Sequence, residues 1–444
     1  MRGESRLVLI ACYLAILANG VNSTAIMAAL PRMSQELRLG PSMVEWVVNA
    51  YLLAAAAFIA LGGRAADGFG PRRSSAVGIT LFALASLFIA LAPGGAVVVA
   101  ARALQGLGAA FMVAGTLAAV SEAVPAAGRP GAISTWTGCL MLGFSLGPLI
   151  GGFITHYAGW RFNFWLNLLA MLPAAAALLL QLEPGGRQRD PLDWCGLLLL
   201  VAFMVLLILG LHALPRVAAA PWDAILPLAL AAAAFAVLYR TERHRDRPLL
   251  DFALFTTRTF ALAALIAFLI MLDIMALLLY YNLFAQAPSG LAMTPLVSGL
   301  SLLPLSIALF GFARAAPRLG ATIGVPRMMA GGAALLVLGA AIVWTMVLGA
   351  GRPVLLLGLF ACGAGIALPF ASSQHVGLAA LRPDRAGQGA GVISASSFLG
   401  GTVGVTGGGI VSGFAGFPGV LLLVALAALA SVALSLRIEE KPRS

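Results

Sequence analysis

Apolar residues in this chain come in long runs, and polar or turn-forming residues mark the breaks between them. Fourteen runs can be delimited, at 7–30, 44–62, 75–92, 96–120, 131–155, 162–182, 194–213, 222–240, 259–284, 294–313, 327–348, 353–376, 389–411 and 416–436. Each has about the ~20 residues that a helix needs to cross ~30 Å of hydrocarbon. The pattern predicts an all-α membrane protein of fourteen spans. An even number returns the C-terminus to the side of the N-terminus. The opening "MRGESR" before an apolar run imitates a signal peptide, but so many spans follow that it reads as an uncleaved first helix.

Composition removes the soluble alternatives. Hydrophobic residues make up 61% of the 444 positions and charged residues 10%, against about 25% charged in a soluble domain. The net charge of +11 does not point to nucleic acid, because the basic residues sit mostly in alternate loops. With a cytoplasmic N-terminus, the inner loops and termini hold 21 of the 27 basic residues. The outer loops hold five, namely Arg32, Arg38, Arg161, Arg216 and Arg352, and Arg102 lies inside a span. That asymmetry places both termini in the cytoplasm and the chain in the cell membrane. Cys12, Cys139, Cys195 and Cys362 are scattered singly and suggest neither a metal site nor a disulfide framework.

The chain carries a faint internal repeat. "FGPRR" (69–73) answers to "IGVPR" (323–327), and "RPGAIS" (129–134) to "GAGVIS" (389–394), at an offset of about 255–260 residues. Parallel repeats of this kind belong to transporters, with the substrate site expected between the halves near the bilayer midplane. The expected organisation is a six-helix bundle over 1–184, an inserted helix pair with cytoplasmic linkers over 185–257, and a second six-helix bundle over 258–444. The pair has no charge inside its spans and reads as packing rather than pathway.

Three segments carry candidate chemistry. In the loop "GGRAADGFGPRR" (62–73), Gly63 and Gly70 permit a tight reversal. Asp67 near a helix start can accept backbone N–H groups, and Arg72 can hold the loop at the membrane face. An ordinary basic loop would look the same. "ARALQGLGAA" (101–110) puts Arg102 inside the membrane at a cost of ~2.5–3.5 kcal/mol, unless it snorkels, with Gln105 on the same face. "LGFSLGPLIGGFI" (142–154) repeats glycine at Gly143, Gly147 and Gly151, a flat stripe for close helix contact, beside Pro148, which frees a backbone carbonyl. A plain packing stripe explains it equally.

Together these segments resemble the major facilitator superfamily. Gly63, Asp67, Gly70 and Arg72 match the family's G-x-L-a-D-r-x-G-r-k loop, and "ARALQGLGAA" its span-four R-x-x-Q-G. "GFSLGPLIGG" matches its antiporter motif G-x-x-x-G-P-x-x-G-G, carried here by Gly143, Gly147, Pro148, Gly151 and Gly152. "AALPRM" (28–33), "WVVNAYLL" (46–53), "GWRFNFWLN" (159–167), "LDWCG" (192–196) and "PLLDFALF" (248–255) resemble its fourteen-helix drug/proton antiporter branch. The resemblance implies a major facilitator fold and export of amphipathic, often cationic compounds driven by proton entry. There are departures: Gly68 and Pro71 replace the loop's usual basic residues, and two further positions differ. The branch's span-one L-D-x-T is "VNST" (21–24) here, so Asn22 stands where the acid should be. Ala321 stands where the second repeat would place a counterpart of Asp67.

One acid lies deep in a span. Asp273 sits in "LIMLDIMALLLYY" (269–281). Burial disfavours a bare carboxylate, so this group can take a proton on one side and release it on the other. A cationic substrate would compete for it, and mutual exclusion of the two suffices for antiport. Tyr280 and Tyr281 lie close by, suited to a lipophilic cation. Asn19, Asn22 and Ser23 share a face of span one and are expected to line the same cavity, together with Gln105. A structural ion pair of Asp273 with Arg102 is the other reading. His156 and His375, near span ends, read as polar termini, with a proton relay the alternative.

The expected function is therefore a proton-coupled exporter, broad or restricted to one self-made metabolite, with uptake by symport the further alternative. It is not an enzyme: no paired acids of the D-x-x-x-D kind lie at a span end, and no GxxxxGK[ST] loop indicates ATP. No cofactor or metal is expected. The partners are small-molecule substrate, protons and lipid, not nucleic acid, and the state is a monomer. The orientation has a direct check. Cysteines introduced at 216 and 352 in a cysteine-free background should react with an impermeant maleimide added outside intact cells, and one at 243 only after permeabilisation.

Overall fold

The computed structural model describes residues 3–181, 193–217, 219–245, 248, 250–347, 349, 351–382 and 385–438. Among these the chain is all helix, and thirteen helices are long and apolar enough to cross a membrane. The expected boundary at 184/185 lies outside the described residues. The chain forms two compact units, residues 1–194 with 285–300, and residues 195–284 with 301–444.

The first unit contains α1 (Gly3–Leu37), α2 (Pro41–Phe69), α3 (Pro71–Ala90), α4 (Gly95–Glu122), α5 (Arg129–Tyr157) and α6 (Phe162–Leu179). Helix α1 packs along α5 and also meets α4 and α6; α2 and α3 pack on α4, and α3 on α6. Glycine decides how close these helices come. A methyl group on Gly143 would sit 2.8 Å from the Val21 nitrogen, one on Gly147 2.8 Å from the Val21 carbonyl oxygen, and one on Gly151 2.6 Å from the Ala25 Cα. The motif's glycines therefore lay α5 against the backbone of α1. Gly152 faces the other way, toward Pro295 and Gly299. Pro148 does not break α5. It withholds an N–H from the Phe144 carbonyl one turn earlier, and the Thr24 hydroxyl of α1 donates to that carbonyl at 3.0 Å. Near the end of α1, Glu36 accepts from Trp160 Nε1 at 2.7 Å and from Arg161.

The second unit holds most of α7 (Trp194–Ala213) and of α9 (Arg258–Gln286), with α8 (Pro221–Glu242), the end of α10 (Pro295–Ser301), and α11 (Leu303–Ile323), α12 (Val325–Val347), α13 (Arg352–Ala379) and α14 (Ala386–Ser435). Helices α11 to α14 pack on one another. The pair α7 and α8 meets through Gly210 against Leu228 and Phe203 against Phe235, 5.1 Å between ring centres. Most other side chains of α8 face outward, among them Trp222, 71% exposed.

Two expectations need adjustment. The loop at 62–73 is almost entirely helical: α2 runs to Phe69, α3 begins at Pro71, and Gly70 alone joins them, with φ 95° and ψ 144°. Asp67 accordingly lies exposed in the last turn of α2 rather than at the start of α3. That φ favours glycine. Gly324 joins α11 to α12 in the same way, with φ 87° and ψ 140°. The second point is the helix count. The spans expected at 389–411 and 416–436 run on from one another as α14, which a kink at the non-helical Gly416, φ 62° and ψ −157°, divides into two helices.

Replacing Gly147 by alanine forces a methyl group against the α1 backbone. Overpacking of this kind costs about 1–3 kcal/mol. The variant should melt several degrees below wild type in detergent, while Gly131→Ala, where a methyl group meets nothing within 4 Å, should not.

Candidate functional site

The expected polar residues of the first unit assemble. Arg102 is 1% exposed and Gln105 fully buried, so Arg102 does not snorkel out. Its Nε donates to the Val47 carbonyl at 2.9 Å and its Nη1 to Gln105 Oε1 at 2.5 Å. Its guanidinium lies 4.3 Å from the centre of the Tyr51 ring. The other end of Gln105 donates to Ser86 Oγ at 2.8 Å and to Asn22 Oδ1 at 3.4 Å. Asn167 also donates to Asn22 Oδ1, at 2.8 Å. Asn19 accepts from the Tyr51 hydroxyl at 2.9 Å, and Ser23 lies 3.4 Å from that hydroxyl.

One polar cluster thus runs from α1 through α2, α3 and α4 to α6. Buried polar groups are costly without partners, and nearly all of these have one. The exception is Asn22 Nδ2, which is buried without a hydrogen-bond partner. Asn22 therefore uses its oxygen and leaves its nitrogen idle, so the cluster offers position 22 donors and no acceptor.

The second unit is different. Asp273 is fully buried in the middle of α9, and neither of its carboxylate oxygens has a hydrogen-bond partner. Cys362 of α13 is within electrostatic reach. Every other acid among the described residues lies within about a turn of a helix end or in a connection. Tyr280 and Tyr281 are buried too, and their hydroxyls are engaged. Tyr280 donates to the Val405 carbonyl at 2.8 Å, and Tyr281 meets Ser301 Oγ at 2.5 Å. The Tyr280 ring lies against Gly408 and the Tyr281 ring near Phe417. These contacts hold both tyrosines within the second unit.

The remaining sequence candidates are placed as follows. Gly63 is half-buried with open space beside its Cα, while Arg72 donates to the Gln181 carbonyl at 2.8 Å. His156 packs edge-on against Tyr157 in the last turn of α5. His375 is exposed near the end of α13. No group of three or more His, Cys, Asp or Glu suited to a metal occurs among the described residues. Sequence reasoning missed Ser86, Asn167, Tyr51 and Cys362. The signal for Ser86 was present: a serine with only apolar neighbours for a turn on either side.

Comparison with known proteins agrees with this architecture. The family model of the Major Facilitator Superfamily matches residues 12–405. The multidrug resistance protein Stp of Mycobacterium tuberculosis is 31% identical over 408 residues, 91% of this chain and 75% of that protein. The drug efflux pump JefA of the same species is 31% identical over 417 residues, 91% of this chain and 80% of the pump. The tetracenomycin C resistance and export protein of Streptomyces glaucescens is 30% identical over 308 residues, 69% of this chain and 57% of that one. Among solved structures, the E. coli xylose transporter XylE in a partially occluded inward-open conformation superposes with a TM-score of 0.68 at 15% identity, covering 97% and 96% of the two chains. A POT family transporter in complex with 5-aminolevulinic acid gives a TM-score of 0.70 at 13% identity, covering 98% and 95%. With a family model spanning most of its length and these helices in place, the chain belongs to the Major Facilitator Superfamily of membrane transporters.

Proposed function

We propose that this transporter exports small amphipathic compounds, cationic ones among them, in exchange for protons. The observation that carries this reading is Asp273, a fully buried carboxyl whose two oxygens lack hydrogen-bond partners. A bare charge there has nothing to share it and costs heavily. The group is therefore stable in two ways: as the neutral acid, or as a carboxylate beside a cation brought by the substrate. Because one oxygen pair cannot serve both, proton and cation exclude each other, and their exchange across the membrane follows. The names of the relatives, a multidrug resistance protein and a drug efflux pump, support the outward direction. The glycine–proline stripe of α5 supports it as a resemblance to antiporters. A narrower reading, export of one compound, is favoured by the tetracenomycin C exporter among the relatives.

In this reading the chain crosses the membrane fourteen times. Fifty residues of helix at ~1.5 Å each are about 75 Å long, more than twice the ~30 Å hydrocarbon thickness. Helix α14 then supplies two crossings that turn at Gly416. Residues 1–184 and 258–444 are the two six-helix bundles of the repeat, with 185–257 inserted. The loop charges put both termini in the cytoplasm. Gly63, Asp67, Gly70 and Arg72 shape the cytoplasmic joint, and the α5 stripe lets its neighbours rock.

Purified protein in detergent should release a proton when tetraphenylphosphonium is added, read by a pH-sensitive dye. Asp273→Asn should bind the same cation more weakly and release none. Equal release from this variant and wild type would sink the assignment of Asp273.

A further inference from the structure

The two units repeat one another in contacts as well as in sequence. On α5, Gly143 and Gly147 meet the carbonyls of Leu17 and Val21 of α1. On α14, Gly400 and Gly404 meet the carbonyls of Phe268 and Leu272 of α9. Gly106 of α4 meets the Tyr51 carbonyl, and Gly363 of α13 the Leu305 carbonyl. Gly108 meets the Phe82 nitrogen, and Gly365 the Leu336 nitrogen. In these contacts the offset along the chain is constant within each pair of matched helices, so positions can be matched one to one; on α5 and α14 the contacts run three residues out of step with the sequence match of 129–134 to 389–394. The glycine joints Gly70 and Gly324 obey the same offset as their helices.

This matching pairs Asn22, which follows Val21, with Asp273, which follows Leu272. It pairs Gln105 with Cys362: Gln105 donates to Asn22 Oδ1, and Cys362 lies within electrostatic range of Asp273. The surroundings differ in kind. Arg102, Ser86 and Tyr51 of the first unit correspond to Leu359, Ala340 and Leu305 of the second, all buried. One copy of the site therefore has hydrogen-bond donors but no acid, and the other has an acid whose oxygens no donor reaches.

We infer that Asn22 is the second repeat position for a proton carrier, held silent by its amide, and that this residue limits the transporter to a single proton per cycle. This rests on the reading of Asp273 as the carrier. In wild type, one proton joins the Asp273 carboxylate as one monocation leaves it, and the reverse on the other face, so no net charge crosses. The chemistry at position 22 already suits a carboxyl. An aspartic acid there would have one oxygen held by Asn167 and Gln105, in place of Asn22 Oδ1. Its other oxygen would take the place of Asn22 Nδ2, which has no partner, and would be available for a proton. Gln105 stands between this position and the Arg102 guanidinium, so Arg102 does not pair with it directly. A second acid would carry a second proton inward for each monocation moved out, leaving one uncompensated positive charge per cycle.

The test uses the full chain in proteoliposomes, tetraphenylphosphonium as the exported cation, an internal pH dye and a potassium–valinomycin potential. Thermal melting in detergent checks that each variant is folded. Wild type should exchange cation for proton at a rate that does not respond to the imposed potential. Asp273→Asn should lose coupled proton movement at least tenfold. Asn22→Asp/Asp273→Asn should regain a substantial part of it, still without response to potential. Asn22→Asp alone should move about twice the protons per cation and become potential-dependent, as movement of a net charge requires. Coupling that survives in Asp273→Asn overturns the reading of Asp273, and this inference with it. Loss in Asp273→Asn, with no recovery in the double variant and no response to potential in Asn22→Asp, overturns the inference alone. If the double variant does not fold, the single Asn22→Asp decides by its proton count and its response to potential.

Discussion

Helices in this protein meet backbone to backbone, and glycine alone permits it. Lipid gives packed helices no hydrophobic reward, so close van der Waals contact has to hold them together. At Gly143, Gly147 and Gly151 in one unit, and at Gly400 and Gly404 in the other, a single added methyl group would overlap a neighbouring main chain. Such contacts fix register as well as distance, since a slip of one residue would drive a side chain into the space that glycine leaves. The repeat survives in these contacts where the side chains have diverged, and through them Asn22 and Asp273 can be matched.

Once matched, the two units divide the chemistry of a charged site. The first keeps a cation, Arg102, satisfied by a carbonyl, an amide and an aromatic face. Around it lies a chain of neutral amides and hydroxyls in which nearly every donor is used. A hydrogen-bonded network of this kind restrains its members. The second keeps an acid, Asp273, whose oxygens have no hydrogen-bond partner, and has Leu359, Ala340 and Leu305 where the first has Arg102, Ser86 and Tyr51. The same helix framework accommodates both because the glycine contacts, not the polar groups, hold the helices in place.

Much of this was legible in the sequence. Runs of apolar residues marked the helices, since in a membrane the pattern that predicts a span is also its driving force. Asp273 and Arg102 stood out because a charge amid twenty apolar residues is costly. Two things were not legible. The joint at Gly70 looked like a twelve-residue loop because Arg, Asp and Gly signal breaks, yet arginine and aspartate are tolerated in a helix that emerges from the bilayer. The partners of the Tyr280 and Tyr281 hydroxyls were not legible either, since Val405 and Ser301 lie 125 and 20 residues further along and on other helices. Asn167 and Ser86 likewise gained meaning only through neighbours on other helices.

The joints at Gly70 and Gly324 carry a mechanical consequence. A span connected to the next through one residue has no slack. If α2 tilts or turns about its axis, the start of α3 must follow at once, and likewise α12 after α11. Each pair is therefore joined by a short elbow rather than a slack loop, and the helix ends on either side of Gly70, and of Gly324, move together.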